Sequence, residues 1–135
     1  MAYTWDKSWE LGIGDIDRQH EQLLNLINRL GDAMKARKTG DVLLGVLDEL
    51  DEYTRKHFAF EEALMKRYNY DGLDMHKPLH AKFIFQVKEF KKQVAEGIIS
   101  SVGVKMYNFL GDWWREHIRG TDSKYAEVIT EKGVR

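Results

Sequence analysis

Histidine, glutamate and aspartate are the residue types whose spacing in this sequence points to chemistry. His57 and Glu61 stand four residues apart, as do His76 and His80, so each pair projects from consecutive turns of one helical face. His20 opens an apolar helical stripe and His117 closes another, which completes the five histidines of the chain. A lone histidine on an apolar face is ordinarily a hydrogen-bonded core residue, but five with no remainder form a set. Imidazoles and a carboxylate buried together without a partner would lose their hydration uncompensated, and a metal centre resolves that cost. There is no cysteine. That excludes disulfides, thiolate zinc sites, cysteine-ligated iron–sulfur clusters, c-type haem attachment and cysteine nucleophiles. Nitrogen and oxygen donors of this kind suit iron, cobalt, nickel, copper or zinc, and donor type alone does not choose. Asp122 follows His117 by five residues, which on a regular helix turns it about 140° away. A break or a tightened turn near Gly120 is needed to bring it back.

The elements that must position these residues read as helices. A first helix over about 17–36 carries Leu23, Leu24, Ile27, Leu30 and Met34 on one stripe, and a turn follows at Lys38–Asp41. A second over about 41–68 carries Leu43, Leu47, Leu50, His57, Glu61, Leu64 and Met65. The third starts near Asp74 as N-cap and runs to about Glu96, its inward register being His76, His80, Phe83, Val87, Phe90 and Val94. Pro78 falls early in it, where at most one backbone bond is lost. Ser100 or Ser101 caps the fourth, with Val102, Met106, Phe109, Leu110, Trp113 and His117 inward. Short connections make this an all-α antiparallel up-and-down four-helix bundle, one domain over residues 1–135 with a core at about 17–119. That topology brings His20, His57 with Glu61, His76 with His80, and His117 to one end. Trp5 and Trp9 form an N-terminal arm over one end, with Ile13 and Ile16 leading into the first helix. Tyr125, Val128 and Ile129 anchor a short final turn in the C-terminal extension.

Composition narrows the function classes. Lys+Arg is 21 and Asp+Glu is 22, a net charge of −1, which does not suit a nucleic-acid binder with its strongly basic face. Lys35, Arg37 and Lys38 sit favourably at the end of the first helix, and Lys88, Glu89, Lys91 and Lys92 read as a solvated face. Gly12 and Gly14 lack the rest of a phosphate-binding fingerprint. The N-terminus shows no signal-peptide pattern and no stretch is apolar enough to insert in a membrane, so a soluble cytoplasmic protein is expected.

Taken in order, His20, His57-Phe-Ala-Phe-Glu61, His76-Lys-Pro-Leu-His80 and His117-Ile-Arg-Gly-Thr-Asp122 make the chain resemble the bacterial hemerythrins (bacteriohemerythrin) from Trp5 through at least Tyr125. The resemblance implies a non-haem di-iron centre. His76, His80 and His117 would bind one iron, His20 and His57 the other, with Glu61, Asp122 and an oxo or hydroxo group bridging both. The first iron then counts six ligands and the second five, which leaves one position for reversible dioxygen binding. Leu23, Phe58, Trp113 and Ile118 would line the oxygen pocket near that open iron. Trp114 adjoins Trp113 but points in another direction on a helix, packing or gating the same end. The implied role is oxygen storage, delivery or buffering by a monomer, not catalysis, with an oxygen-consuming enzyme or a reductase as protein partner. Two alternatives are a di-iron oxidase or peroxidase, and an oxygen or redox sensor acting through a partner protein. The first usually carries paired Glu-x-x-His segments, which this chain lacks. Against the second stands the length of the chain, with no signalling domain attached. A third class is metal storage, for which two fixed ions are a poor capacity, or a purely structural metal bundle, filled by zinc for example.

Overall fold

Each apolar stripe forms a helix that buries it against a neighbour. The computed structural model describes residues 4–135. Residues 1–3, the first of the stretch read as lacking a signal pattern, lie outside the described residues. The helices are α1 (Gly14–Lys35), α2 (Thr39–Arg67), α3 (Leu73–Ala95) and α4 (Ser100–Trp113). A π-helical segment, Trp114–Thr121, continues α4 without a break and leads into α5 (Asp122–Glu131). A single turn of 3-10 helix, Lys7–Trp9, stands in the N-terminal arm. Connections of three to five residues make successive helices antiparallel. α1 packs on α2 and α4, α2 on α3, and α4 closes against α2 and α3. The result is a four-helix bundle with no strand among the described residues.

Several boundaries differ from the sequence expectation, each for a local reason. α1 begins at Gly14 rather than near residue 17, because Asp17 serves the arm. Its carboxylate accepts the backbone N–H groups of Leu11 (2.7 Å) and Gly12 (3.3 Å), and Gly12 turns the chain at φ +87°, where a side chain would be strained. Asp74 is not the cap of α3. Gly72 precedes the helix without a side-chain cap, and Asp74 lies in the first turn, where the helix dipole favours a negative charge. Ile99 rather than a serine stands at the N-cap of α4, and Ser100 is its first residue. Pro78 lies inside α3 without interrupting it.

The largest departure is at the C-terminus. The expected short turn is a ten-residue helix, α5, that buries Tyr125, Ala126 and Ile129, with Val128 at its edge. These three join Ile13, Ile16 and Met65 in an apolar layer of their own. The main core lies on the other side of the histidines and includes Leu23, Ile27, Leu30, Leu47, Leu50, Val87 and Met106. Met34, Leu64, Val94, Phe109 and Trp113, expected to face inward, are half-buried at the margins of these layers. Along α1 the order is Ile16, His20, Leu23, and along α2 it is Phe58, Glu61, Met65. The polar residues therefore form one stratum between two apolar ones.

Candidate metal centre

The π segment brings Asp122 back to the face of His117. Its backbone hydrogen bonds close over five residues instead of four, and the Asp122 N–H donates to the His117 carbonyl. Residues five apart then share a turn, and His117 Nε2 lies 3.0 Å from Asp122 Oδ1. A widened turn does the work expected of a break or a tightened one.

Five elements converge on this stratum: α1, α2, α3, the π segment and α5. Asp122 Oδ1 also faces His76 Nε2 at 2.9 Å, while Oδ2 faces His20 Nε2 at 3.2 Å. Glu61 Oε1 lies 3.1 Å from His57 Nε2 and 3.4 Å from His80 Nε2, and Oε2 lies 3.9 Å from His20 Nε2. All seven side chains are buried, and Glu61 and His20 are 0% exposed. The donor atoms of His76, His80, His117 and Asp122 lie within 4.8 Å of one another, as do those of His20, His57, Glu61 and Asp122. The two groups divide the imidazoles three and two, and they share Asp122.

The chemistry of this donor set fits two metal ions. Nε2 of His20, His76, His80 and His117, Glu61 Oε1 and both Asp122 oxygens are buried without a hydrogen-bond partner. Contacts near 3 Å without hydrogen-bond angles are lone pairs aimed at a common point. Seven such atoms in one layer would be costly in a fold that offered them nothing. The electrostatics already suit cation binding. Burial and Asp122 push the Glu61 carboxyl up, yet His57 and His80 hold it down at about 2. Burial likewise works against Asp122, and His117, His20 and His76 keep it well below the usual carboxylate range. His20 and His80 are raised, because the carboxylates facing them outweigh burial, whereas burial lowers His117.

Around the cluster stand residues that sequence reasoning missed. His57 Nδ1 donates to Gln19 Oε1 at 2.5 Å, and His80 Nδ1 donates to Glu62 Oε2 at 2.9 Å, which leaves each Nε2 lone pair facing inward. Tyr53 stacks on His57 (centroids 5.2 Å apart, 16° between planes), and its hydroxyl donates to the Gln19 carbonyl. The buried Tyr125 hydroxyl donates to Glu61 Oε2 at 2.5 Å. Tyr125 follows Asp122 by one helical turn, a spacing that could have flagged it. Gln19 and Glu62 adjoin ligand-type residues in sequence, and adjacency carries no such signal.

The four residues read as pocket lining fall as follows. Leu23, Phe58 and Ile118 are buried in the main core, with Trp113 half-buried against it. Phe58 stacks on His80 at 3.9 Å and lies 5.8 Å from His57, so it borders both sides, whereas Trp113 stacks on His117 at 3.8 Å on the three-histidine side. The indole on the two-histidine side is Trp114, edge-on to His20 at 6.2 Å and 1% exposed.

A four-helix bundle with two histidine-rich donor clusters joined through one aspartate is a dinuclear non-haem metal-binding protein in class. The family model described as "Hemerythrin HHE cation binding domain" matches residues 11–129. The chain is 35% identical over 130 residues to a bacteriohemerythrin of Pseudomonas aeruginosa, covering 96% of this chain and 83% of that one. It is 32% identical over 123 residues to a myohemerythrin of Theromyzon tessulatum, covering 91% and 90%. Crystal structures of hemerythrin point variants superpose with a TM-score of 0.84 at 27% identity, over 96% of this chain and 98% of theirs. The chain belongs to the hemerythrin family.

Proposed function

We propose that the chain binds dioxygen reversibly at a non-haem di-iron centre, with His76, His80 and His117 on one iron, His20 and His57 on the other, and Glu61 and Asp122 bridging. The observation that carries this reading is the three-to-two division of the imidazoles about a shared Asp122. When bound there, a pair of ferrous ions would supply the two electrons that dioxygen takes up, and the side held by two histidines rather than three would leave room for it.

The protein's own part is to position and to exclude. Gln19 and Glu62 fix the ring orientation and tautomer of His57 and His80, so that Nε2 is the ligating atom. Tyr125 anchors Glu61 through Oε2. Leu23, Phe58, Trp113 and Ile118, joined by Trp114, wall the centre from water and anions. No side chain is needed as acid or base, which suits a carrier rather than an enzyme.

Dioxygen is the ligand, and the role is storage, delivery or buffering by a monomer in the cytoplasm. An oxygen-consuming enzyme would draw on it, and a reductase would return the ferrous state. No helix among the described residues is long and apolar enough to cross a membrane. Iron analysis coupled to anaerobic and oxygenated optical spectra tests the reading. Two irons per chain and about one dioxygen per iron pair are expected, and an iron-loaded protein that forms no reversible adduct overturns it. His57→Ala should abolish the adduct by removing one of the two imidazoles on its side, and an unchanged spectrum and stoichiometry would reject that assignment.

A further inference from the structure

Three indoles lead from the two-histidine side of the centre to the surface. Trp114 lies edge-on to His20 at 6.2 Å. Trp9 and Trp5, both half-buried in the arm, lie 5.4 Å and 6.1 Å from Trp114 and 5.9 Å from each other, all centroid to centroid. We propose that Trp114, Trp9 and Trp5 form a relay that drains oxidising equivalents from the metal centre to the surface, where a thiol or ascorbate neutralises them. The proposal rests on the di-iron reading.

The physical case is specific to indole. An indole gives up one electron without breaking a bond, at a cost far below that of a phenyl ring, and every step here is well inside electron-tunnelling range. Trp114 Nε1 is buried without a hydrogen-bond partner. An oxidised Trp114 therefore has no base to take its proton and stays a radical cation, which the next indole can refill. Arg119 sits over the Trp9 ring at 6.0 Å and disfavours positive charge there. Trp5 reaches Trp114 directly, has no such cation over its ring among the described contacts, and is the exit.

The balance closes with hydrogen peroxide as oxidant. Its reduction to two waters takes two electrons and two protons. When both irons are already ferric, the electrons pass one at a time from Trp114, which Trp5 refills. Two thiols restore Trp5 in turn, becoming one disulfide and releasing the two protons. Without this route, the oxidation falls on the ligand histidines.

The experiment treats iron-loaded, oxidised protein with hydrogen peroxide. Freeze-quench electron paramagnetic resonance and peptide mass spectrometry are then read on wild type, Trp5→Phe, Trp9→Phe and Trp114→Phe. Wild type should give an indole radical and oxidation products concentrated at Trp5. Trp5→Phe should lengthen the life of the radical and raise oxidation of the ligand histidines several-fold, with Trp9→Phe milder. Trp5 and Trp9 are half-buried in the arm, so these two variants decide the matter even if Trp114→Phe does not fold. Iron content is measured on each sample. A chain that takes up no iron overturns the metal reading and the relay with it. A loaded chain with no indole radical overturns the relay alone, as does a radical confined to Trp113 or to Tyr125.

Discussion

His57 and His80 turn the same nitrogen inward but lean on different acceptors, a neutral amide for His57 and a carboxylate for His80. A carboxylate partner makes the imidazole a stronger donor, and losing such a partner costs on the order of 10–100-fold in metal affinity. Glu62→Ala should therefore weaken metal binding by about tenfold in a competition titration, with Glu62→Gln recovering part of the loss. An Ala variant that binds like wild type would reduce Glu62 to a surface residue. The same atoms set a pH dependence. Without metal, the carboxylates hold the protons of His20 and His80 to higher pH than a free imidazole would. Those protons stabilise the metal-free fold fully below the unfolded value near 6.5, and that contribution is lost as pH rises through the raised values. They also compete with the metal, so affinity should fall as pH drops from about 8 to 6, with protons released on loading. A flat profile over that window would show that His20 and His80 do not act as ligands. The five histidines and Glu61 were legible because one face of a helix repeats every three to four residues. Glu62 was not, since a residue next to a ligand is rotated about 100° and signals nothing by spacing.

The π segment shows why an element can be read correctly up to the point where its period changes. Periodicity located the four helices of the bundle to within a few residues, because their apolar stripes keep one period for several turns. It failed at Asp122, where the period widens. A glycine, a threonine and an aspartate in a row read as an end, although the helix passes through them into α5. Register, not length, is what places Asp122, and a pair of variants separates the two. Deleting Gly120 leaves His117 and the aspartate four apart, the spacing of His57 and Glu61, so both should still share a face and metal binding should survive. Inserting an alanine after Gly120 turns the aspartate about 100° further and draws Tyr125 and Ile129 out of their layer. That variant should lose the metal and several kcal/mol of stability, judged by the cost of emptying buried apolar positions. Equal metal binding by both variants would show that the turn is not what aims Asp122.

At the scale of the whole molecule, the cluster lies between two apolar layers, and the outer one exists because α5 carries the fourth helix on past the cluster and sets Tyr125, Ala126 and Ile129 against Ile13, Ile16 and Met65. Sequence polarity hid this. Lys124, Glu127 and Glu131 dominate the appearance of the tail, while its few apolar residues fall on a single face. The arrangement makes folding and metal binding one problem. Without metal, the fold confines a layer of mostly unpaired metal-donor atoms between two apolar layers, of which only Tyr125 reaches them, through Glu61 Oε2, so the ion's binding free energy adds to stability. Ile129→Ala should cost about 2–4 kcal/mol through the cavity it opens in the outer layer. Metal should more than offset that loss, since a ligand bound only by the folded state stabilises in proportion to the logarithm of its excess over Kd. Thermal melts of both proteins, with and without metal, check the coupling. The expected order is loaded wild type, loaded Ile129→Ala, metal-free wild type, metal-free Ile129→Ala. If metal-free wild type melts above the loaded variant, the outer layer rather than the ion is the main lock on this end of the bundle. If metal leaves both melting temperatures unchanged, the buried donors are satisfied without it, and the stratum is a hydrogen-bonded core layer instead of a binding site.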